Sequence, residues 1–273
     1  VAIGAIYNDG NGDLSGHVRI YKNINNTWTK VGSDIDGEAT GDESGKSVSI
    51  SSDGSIVAIG APDNDGNGTN SGHVRVYQNV NNIWTQVGSD IDGEGENDKS
   101  GYSVSLSSDG SVVAIGAPHN AGNGSYSGHV RIYKNVNNTW TQVGSDIDGE
   151  AASDYSGWSV NLSSDGSVVA IGADFNDGNG TESGHVRIYK NVNNTWTQVG
   201  SDIDGEASGD ESGKSVSLSS DGSVVAIGAT DNDGNGTNSG HVRIYKNVNN
   251  IWTQVGSDID GEGENDKSGY SVS

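Results

Sequence analysis

The sequence contains no cysteine, no methionine, two prolines and one phenylalanine among its 273 residues. Without cysteine it has no disulfide, no thiol nucleophile and no thiolate ligand for a metal. It also lacks a run of about 18 apolar residues that could cross a bilayer, and a charged-then-apolar leader. Direct membrane insertion is therefore not expected.

Basic residues are scarce, because 14 lysines and arginines face 37 aspartates and glutamates and give a net charge of −23. Surfaces that bind nucleic acid or anionic membranes need basic patches. The charge excludes nucleic-acid partners and leaves cations, sugars and proteins. Glycine is abundant instead, with 43 residues. Together with many Ser, Asn and Asp residues, it predicts short β-strands joined by turns.

The chain repeats itself every 56 residues: Val-Ala-Ile-Gly-Ala recurs at Val1, Val57, Val113, Val169 and Val225. Alternation and β-branched content predict four strands in the repeat that begins at Ser100. These strands, called A, B, C and D here, cover residues 102–107, 111–117, 129–134 and 139–147. Asp-Gly and Asn-Asn turns join A to B and C to D, so the strands are antiparallel.

Four antiparallel strands per repeat predict an all-β, five-bladed β-propeller of near-identical blades, with a β-solenoid as the alternative. We expect one domain, 1–273, with repeats at 1–56, 57–112, 113–168, 169–224 and 225–273. The C-terminal strand A, which begins at Tyr270, is predicted to complete the N-terminal blade and close the ring. A piece of a longer array is the other interpretation, because the chain begins within a repeat and without Met. In addition, residues 225–273 differ from 57–105 at only Thr230, Ile244 and Lys246.

One repeat carries a Gly41-Asp42-Glu43-Ser44-Gly45 turn, a short strand, Gly60-Ala61-Pro62, a Gly-Asn-Gly loop, Val74-Arg75-Val76-Tyr77 and Trp84. This succession resembles the FG-GAP repeat of integrin-α-like propellers over essentially the whole chain. The resemblance implies a β-propeller, an extracellular or cell-surface location and an adhesion or binding role, often with calcium. Ser-Gly replaces Phe-Gly at Ser44. The family's calcium loop between strands A and B is here Ser-Ser-Asp-Gly-Ser, so that metal site is not carried over.

Antiparallel pairing places the D–A and B–C loops on one face of the predicted propeller. These loops differ between repeats, whereas the turns of the opposite face are nearly constant. Because binding residues are commonly carried by loops on a rigid scaffold, we expect the variable face to bind the ligand. Drift in exposed loops is the alternative explanation.

The first position of strand A holds the predicted ligand-binding residues, which should surround the mouth of the central channel. They are Lys46, Tyr102, Trp158, Lys214 and Tyr270. Aromatic faces beside charged groups suit sugar stacking or capture of a peptide side chain. Alternatively, the five side chains only fill the channel.

The D–A loops supply a second candidate, a calcium site, because aspartates on a flexible turn offer hard oxygen ligands. The tentative ligands are Asp34, Asp36, Asp42, Asp90, Asp92, Asp98, Asp146, Asp148, Asp154, Asp202, Asp204, Asp210, Asp258, Asp260 and Asp266. The competing interpretation is structural: these carboxylates accept hydrogen bonds in their own turns or pair with Arg19 and its equivalents on strand C.

Two regularly spaced residue types are interpreted as packing. The histidines of strand C, which lie too far apart between blades to share an ion with one another, are His17, His73, His129, His185 and His241. The tryptophans of strand D, expected between blades, are Trp28, Trp84, Trp140, Trp196 and Trp252.

Near-identical repeats give every acid several equivalents, so no unique acid–base pair, nucleophile triad or phosphate loop is visible. The singular residues of the third repeat, His119, Tyr126, Tyr155 and Trp158, include no carboxylate. We therefore predict a non-enzymatic extracellular propeller that recognises a glycan or protein ligand. A structural module of a larger surface or matrix protein and a glycosidase-like enzyme are the alternatives.

Overall fold

The computed structural model describes all residues from Val1 to Ser273 as strands, turns and loops. It has 24 strands and no helix. Accordingly, it offers no helical segment with the length and apolar character needed to span a membrane.

The repeat builds three regular strands, with bounds close to those predicted. The A strands are β5 (Ser47–Ile50), β10 (Ser103–Leu106), β15 (Ser159–Leu162) and β20 (Ser212–Leu218). The B strands are β1 (Ala2–Ala5), β6 (Ile56–Ala61), β11 (Val112–Ala117), β16 (Val168–Ala173) and β21 (Val224–Ala229). The C strands are β2 (His17–Ile24), β7 (His73–Val80), β12 (His129–Val136), β17 (His185–Val192) and β22 (His241–Val248).

The predicted strand D is two strands. Its first part is β3 (Thr27–Lys30), β8 (Ile83–Gln86), β13 (Thr139–Gln142), β18 (Thr195–Gln198) and β23 (Ile251–Gln254). Its second part is β4 (Ile35–Asp36), β9 (Ile91–Asp92), β14 (Ile147–Asp148), β19 (Ile203–Asp204) and β24 (Ile259–Asp260). Gly144 lies between the two parts with φ of 74°, and a Cβ there would meet the Asn194 carbonyl oxygen at 3.0 Å. The strand therefore bends where the next blade packs against it.

Four sheets are antiparallel in the order A, B, C, D, and the first sheet has B, C and D alone; in all five, both parts of D pair with C. The second part pairs with the start of strand C, which places His129 opposite Asp148. Asn137 and Asn138 join C to D with φ values of 50° and 66°, the left-handed conformation that tight hairpins need. The five repeated sheets confirm the all-β, five-bladed propeller.

The hydrophobic core lies between successive blades. One cluster joins Val130 and Ile132 of one blade to Val169 and Ile171 of the next, and Trp196 packs against it. The tryptophan indole also donates a hydrogen bond to a carbonyl of the preceding blade, at 2.7 to 2.8 Å. Inter-blade packing of Trp84, Trp140, Trp196 and Trp252 is thus confirmed.

The predicted closing strand is not formed. Residues 270–273 belong to no strand, and β1 pairs with β2 alone. Elsewhere the amide just before strand A donates to strand B of the same blade, as Gly45 N–H does to the Gly60 carbonyl, but Gly269 makes no such bond to Gly4. Four terminal residues bury too little apolar surface to offset the entropy of ordering them. The outer face of the first blade consequently stays open, and Trp28 is 59% exposed.

Candidate functional site

The D–A and B–C loops do lie together on one face. Gly72 of a B–C loop bridges to Ser100 of the D–A loop that follows it. Asp98 of that D–A loop accepts a hydrogen bond at 2.9 Å from Asn120 Nδ2 of the next blade. The variable loops therefore form one continuous surface around the channel mouth.

A cavity of about 410 Å³ opens at the centre of this face. All five predicted ring residues line it: Lys46, Tyr102, Trp158, Lys214 and Tyr270. The A strands of neighbouring blades contact one another, so residues near the start of these strands lie close to the channel. The cavity is open rather than filled, and Tyr270 is 72% exposed.

An aromatic wall runs along one side of the cavity. The rings of Tyr102 and Trp158 have centroids 4.6 Å apart, and Tyr155 continues the wall at 6.3 Å from Trp158. Tyr126 stacks on Tyr155 with centroids 5.5 Å apart and planes 9° from parallel. Burial raises the pKa of Tyr102 to about 12, so its hydroxyl remains a hydrogen-bond donor at neutral pH.

Lys214 joins this wall to two carboxylates. Its Nζ lies 4.3 Å from the Trp158 ring centroid, 2.8 Å from Asp174 Oδ2 and 3.0 Å from Glu211 Oε2. Because it lines the cavity, it brings a fixed ammonium group to the channel mouth. Phe175, the one phenylalanine of the chain, packs behind it with Nζ 5.5 Å from the ring centroid.

The electrostatics of this pair depend on burial. The Asp174 side chain is completely buried, and its Oδ1 has no hydrogen-bond partner. Burial raises the pKa of Asp174 to about 6, although Lys214 opposes the shift. For Lys214, burial acts against the charge, but Asp174 and Glu211 outweigh it and raise the pKa. Asp174 therefore titrates near neutral pH, where acid–base groups are most effective.

Sequence reasoning missed Asp174. The residue after each Val-Ala-Ile-Gly-Ala segment is Ile6, Pro62, Pro118, Asp174 or Thr230. A carboxylate thus stands at this position in a single repeat. The expectation that every acid has equivalents in the other repeats does not hold at this position. Comparing this one position across the five repeats is sufficient to find Asp174.

Lys46 is the second cation of the cavity but has a different environment. Its Nζ lies 5.1 Å from the Tyr102 ring centroid, and its side chain is exposed. Ile6 lines the cavity with Lys46, and its position in the repeat is equivalent to that of Asp174, the partner of Lys214. Lys214 is balanced by Asp174 and Glu211, so Lys46 is the cation whose uncompensated charge favours an anionic ligand.

The predicted calcium ligands of one loop do not form one cluster. Asp34 pairs with Arg19 at 3.1 Å, and hydrogen bonds from Arg19 and Lys30 lower its pKa to about 2. Asp42 is buried and accepts hydrogen bonds from Ala39 N–H and Asn64 Nδ2. The structure thus supports the structural interpretation of these two carboxylates, while calcium binding stays a prediction. Asp90, Asp146, Asp202 and Asp258 lie beside buried strand-C histidines.

Comparison with known families now identifies the repeat. Residues 34–77 match the model of the FG-GAP repeat. This match confirms the resemblance read from the sequence, and the described sheets show that the repeated unit is a propeller blade. A search of curated protein sequences finds no match.

Solved structures with the same fold are named as lactonases. A protein provisionally named 6-phosphogluconolactonase from Bacteroides uniformis matches with a TM-score of 0.62 and 13% identity over 90% of this chain and 65% of its own. One of the same provisional name from Bacteroides fragilis matches with a TM-score of 0.60, 13% identity and the same coverage. The periplasmic gluconolactonase of Pseudomonas aeruginosa has a TM-score of 0.61 and 15% identity over 96% of this chain and 69% of its own.

These similarities, at 13–15% identity, establish the fold. The chain spans 65% of the length of either Bacteroides protein. The prediction of a non-enzymatic adhesion or binding propeller is wrong, because the similar solved propellers carry the names of lactonases, which are enzymes. That prediction did not take into account the carboxylate of Asp174 beside Lys214.

Proposed function

We propose that the cavity at the channel mouth is the active site of a hydrolase that opens cyclic esters of acidic or phosphorylated sugars. The observation that carries the proposal is the pairing of the buried Asp174 with the cavity-lining Lys214, at 2.8 Å. This pair occurs once in an otherwise repetitive chain. The names of the structural neighbours support lactones among the possible esters.

Substrate binding would use the wall and the two cations. The flat faces of Trp158 and Tyr102 suit the apolar face of a sugar ring, while the ring hydroxyls remain free for hydrogen bonds. Lys46 would pair with a carboxylate or phosphate on the substrate, because it has no carboxylate partner of its own within ion-pair distance. The cavity volume of about 410 Å³ lies in the usual range for small-molecule sites.

Lys214 would act on the reacting carbonyl. Water adds to the lactone carbonyl carbon, negative charge develops on the carbonyl oxygen, and the Lys214 ammonium stabilises that charge. The ring C–O bond then breaks. The proton released by the water passes through the Lys214, Asp174 and Glu211 cluster to the leaving oxygen, so the product is the open hydroxy acid. Asp174 and Glu211 also hold Nζ in place.

The location and partners follow the same reasoning. One structural neighbour is named as periplasmic, which supports a place outside the cytoplasm, and we propose an extracellular or cell-surface enzyme. The sugar acid would be its ligand. The charge of −23 argues against nucleic acid as a partner, and a longer repeat array remains a prediction.

Hydrolysis of gluconolactone and of 6-phosphogluconolactone, measured as acid release in a pH-stat, tests the proposal. We expect Lys214→Gln to lower kcat/KM by about 100-fold, as loss of one charge-stabilising donor does. Lys46→Gln should mainly raise KM for the phosphorylated lactone. Because ionised Asp174 positions Lys214, activity should rise as the pH passes about 6.

Lys134→Gln is the matched control, since Lys134 is an exposed lysine on β12. It should leave both kinetic constants unchanged. Hydrolysis by the unaltered protein at the rate found in buffer alone would overturn the proposal. So would equal kcat/KM values for Lys214→Gln and Lys134→Gln.

A further inference from the structure

A different cluster, repeated four times, lies between the blades. Each copy combines a glutamate of one repeat with a histidine and an aspartate of the next, with one potential ligand atom of each residue within 4.8 Å of the other two. The groups are Glu38, His73 and Asp90; Glu94, His129 and Asp146; Glu150, His185 and Asp202; and Glu206, His241 and Asp258. The interpretation of these histidines as packing residues rests on their lying too far apart to share an ion with one another. It does not consider carboxylates as the other ligands.

The second copy shows the arrangement. His129 Nδ1 lies 3.9 Å from Glu94 Oε2 and 3.9 Å from Asp146 Oδ2. Both separations are too long for hydrogen bonds. The first copy is nearly identical, with His73 Nδ1 at 3.9 Å from Glu38 Oε2 and 3.7 Å from Asp90 Oδ2.

The fourth copy has a buried histidine without a hydrogen-bond partner at either ring nitrogen. The side chain of His241 is 1% exposed, and neither of its ring nitrogens has a partner. An unmade hydrogen bond of a buried polar group costs about 1–3 kcal/mol. A cation among the three residues would satisfy Nδ1, the nitrogen that faces the carboxylates.

In the second copy each carboxylate has one oxygen held in place and its other oxygen turned toward the histidine; in the third copy Arg187 also donates to the Asp202 oxygen that faces His185. In the second copy Arg131 Nη1 lies 3.4 Å from Glu94 Oε1, and Gln142 Nε2 donates to Asp146 Oδ1 at 2.5 Å. Metal-binding carboxylates are typically oriented by such outer contacts. Arg131 and the two acids sum to one negative charge, so a divalent cation would not add to an already positive group.

From this geometry we infer that the four groups are sites for a borderline divalent cation, with Zn²⁺ the best match. One imidazole nitrogen and two carboxylate oxygens are a ligand set typical of Zn²⁺, whereas Ca²⁺ prefers oxygen alone. Tetrahedral zinc places its ligands about 3.4 Å apart. The present separations of 3.9 Å would shorten by a fraction of an ångström. Three protein ligands leave the fourth position for water.

The first repeat supplies an internal control. His17 lies 4.0 Å from Asp36. Asp34, which corresponds in this repeat to Asp90, is paired with Arg19 and Lys30. No glutamate of another blade reaches His17, because the ring is not closed at this edge. His17 is accordingly absent from the clusters.

The experiment measures zinc content. The whole chain is stripped with EDTA, incubated with ZnCl₂, passed through gel filtration and analysed for metal. We expect four zinc ions per chain, matching the four clusters. His129→Gln should retain three, and the control His17→Gln should retain four.

Trp fluorescence and circular dichroism would verify that each variant is folded. Asp146→Asn replaces His129→Gln if the latter does not fold, with the same expected count of three. Co²⁺ in place of Zn²⁺ gives an independent readout, because nitrogen–oxygen ligation produces visible absorption bands. Retention of no zinc, or an equal count in wild type and both cluster variants, would overturn the inference. The lactonase proposal would be unaffected.

Discussion

Replacing Asp174 by Asn tests the protonation of the buried carboxylate beside Lys214. Burial raises its pKa from 3.8 in the unfolded chain to about 6 in the folded protein. The folded state therefore binds this proton more tightly than the unfolded state does. The resulting stabilisation is complete well below pH 4 and is lost as the pH rises through about 6.

The magnitude follows from the two pKa values. A shift of about two units corresponds to about 3 kcal/mol of unfolding free energy, of which about half is lost by pH 5 and nearly all by pH 7. Asn cannot titrate. Between pH 4 and pH 7 the wild type should thus lose about 2 kcal/mol of unfolding free energy relative to Asp174→Asn.

Urea unfolding at pH 4, 5, 6 and 7 measures the difference, with the six tryptophans as fluorescent probes. Glu182→Gln is the control, because Glu182 is an exposed acid in the same blade. It reports the pH dependence common to all variants. A free-energy difference between wild type and Asp174→Asn that stays constant from pH 4 to pH 7 would refute the reasoning.

Three further substitutions test the scaffold. Trp140→Phe should cost about 1–2 kcal/mol in thermal unfolding, because it removes an indole bond of 2.8 Å to the preceding blade; Trp28→Phe, at an exposed site, should be nearly neutral. Gly116→Ala should cost about 1–3 kcal/mol or more, since its Cβ would lie 2.1 Å from the Gly157 carbonyl oxygen; unchanged stability would contradict this close approach of the two backbones. Asp98→Ala in EGTA should cost about 1–3 kcal/mol, because its carboxylate accepts two hydrogen bonds, and an effect seen only with added Ca²⁺ would contradict this structural role.

Much of the fold was predictable from the repeat. Alternation of apolar residues marks strands, and the Asn-Asn and Asp-Gly turns fix the antiparallel order, so A, B and C were placed within two residues. The bend in strand D was not predictable, because it depends on the approach of the next blade to Gly144. The prediction of a closing strand was wrong for a related reason. The sequence shows which segment could pair with β1 but not how far that segment lies from β1 in the fold.

The residues that line the cavity were predictable from the sequence, whereas the buried partner of Lys214 was not. Position within strand A was sufficient to place Lys46, Tyr102, Trp158, Lys214 and Tyr270 around one cavity. The buried partner of Lys214 was not found, because Asp174 follows the B strand of the preceding blade and is 40 residues away in the chain. The inter-blade clusters escaped notice similarly, since each joins a glutamate to a histidine of the following repeat.

The two lysines of the cavity show how a repetitive chain can build an asymmetric site. Lys46 and Lys214 occupy equivalent positions, and symmetry alone would give them equal chemistry. The two lysines differ because the neighbouring residue differs: Lys46 has Ile6 beside it and is exposed, whereas Asp174 holds Lys214 in a fixed, partly buried position. An exposed, unpaired cation suits the capture of an anionic substituent, and a fixed one suits the stabilisation of charge in a transition state. The proposed function would thus give two roles to one residue type because the residues that follow the neighbouring B strands differ.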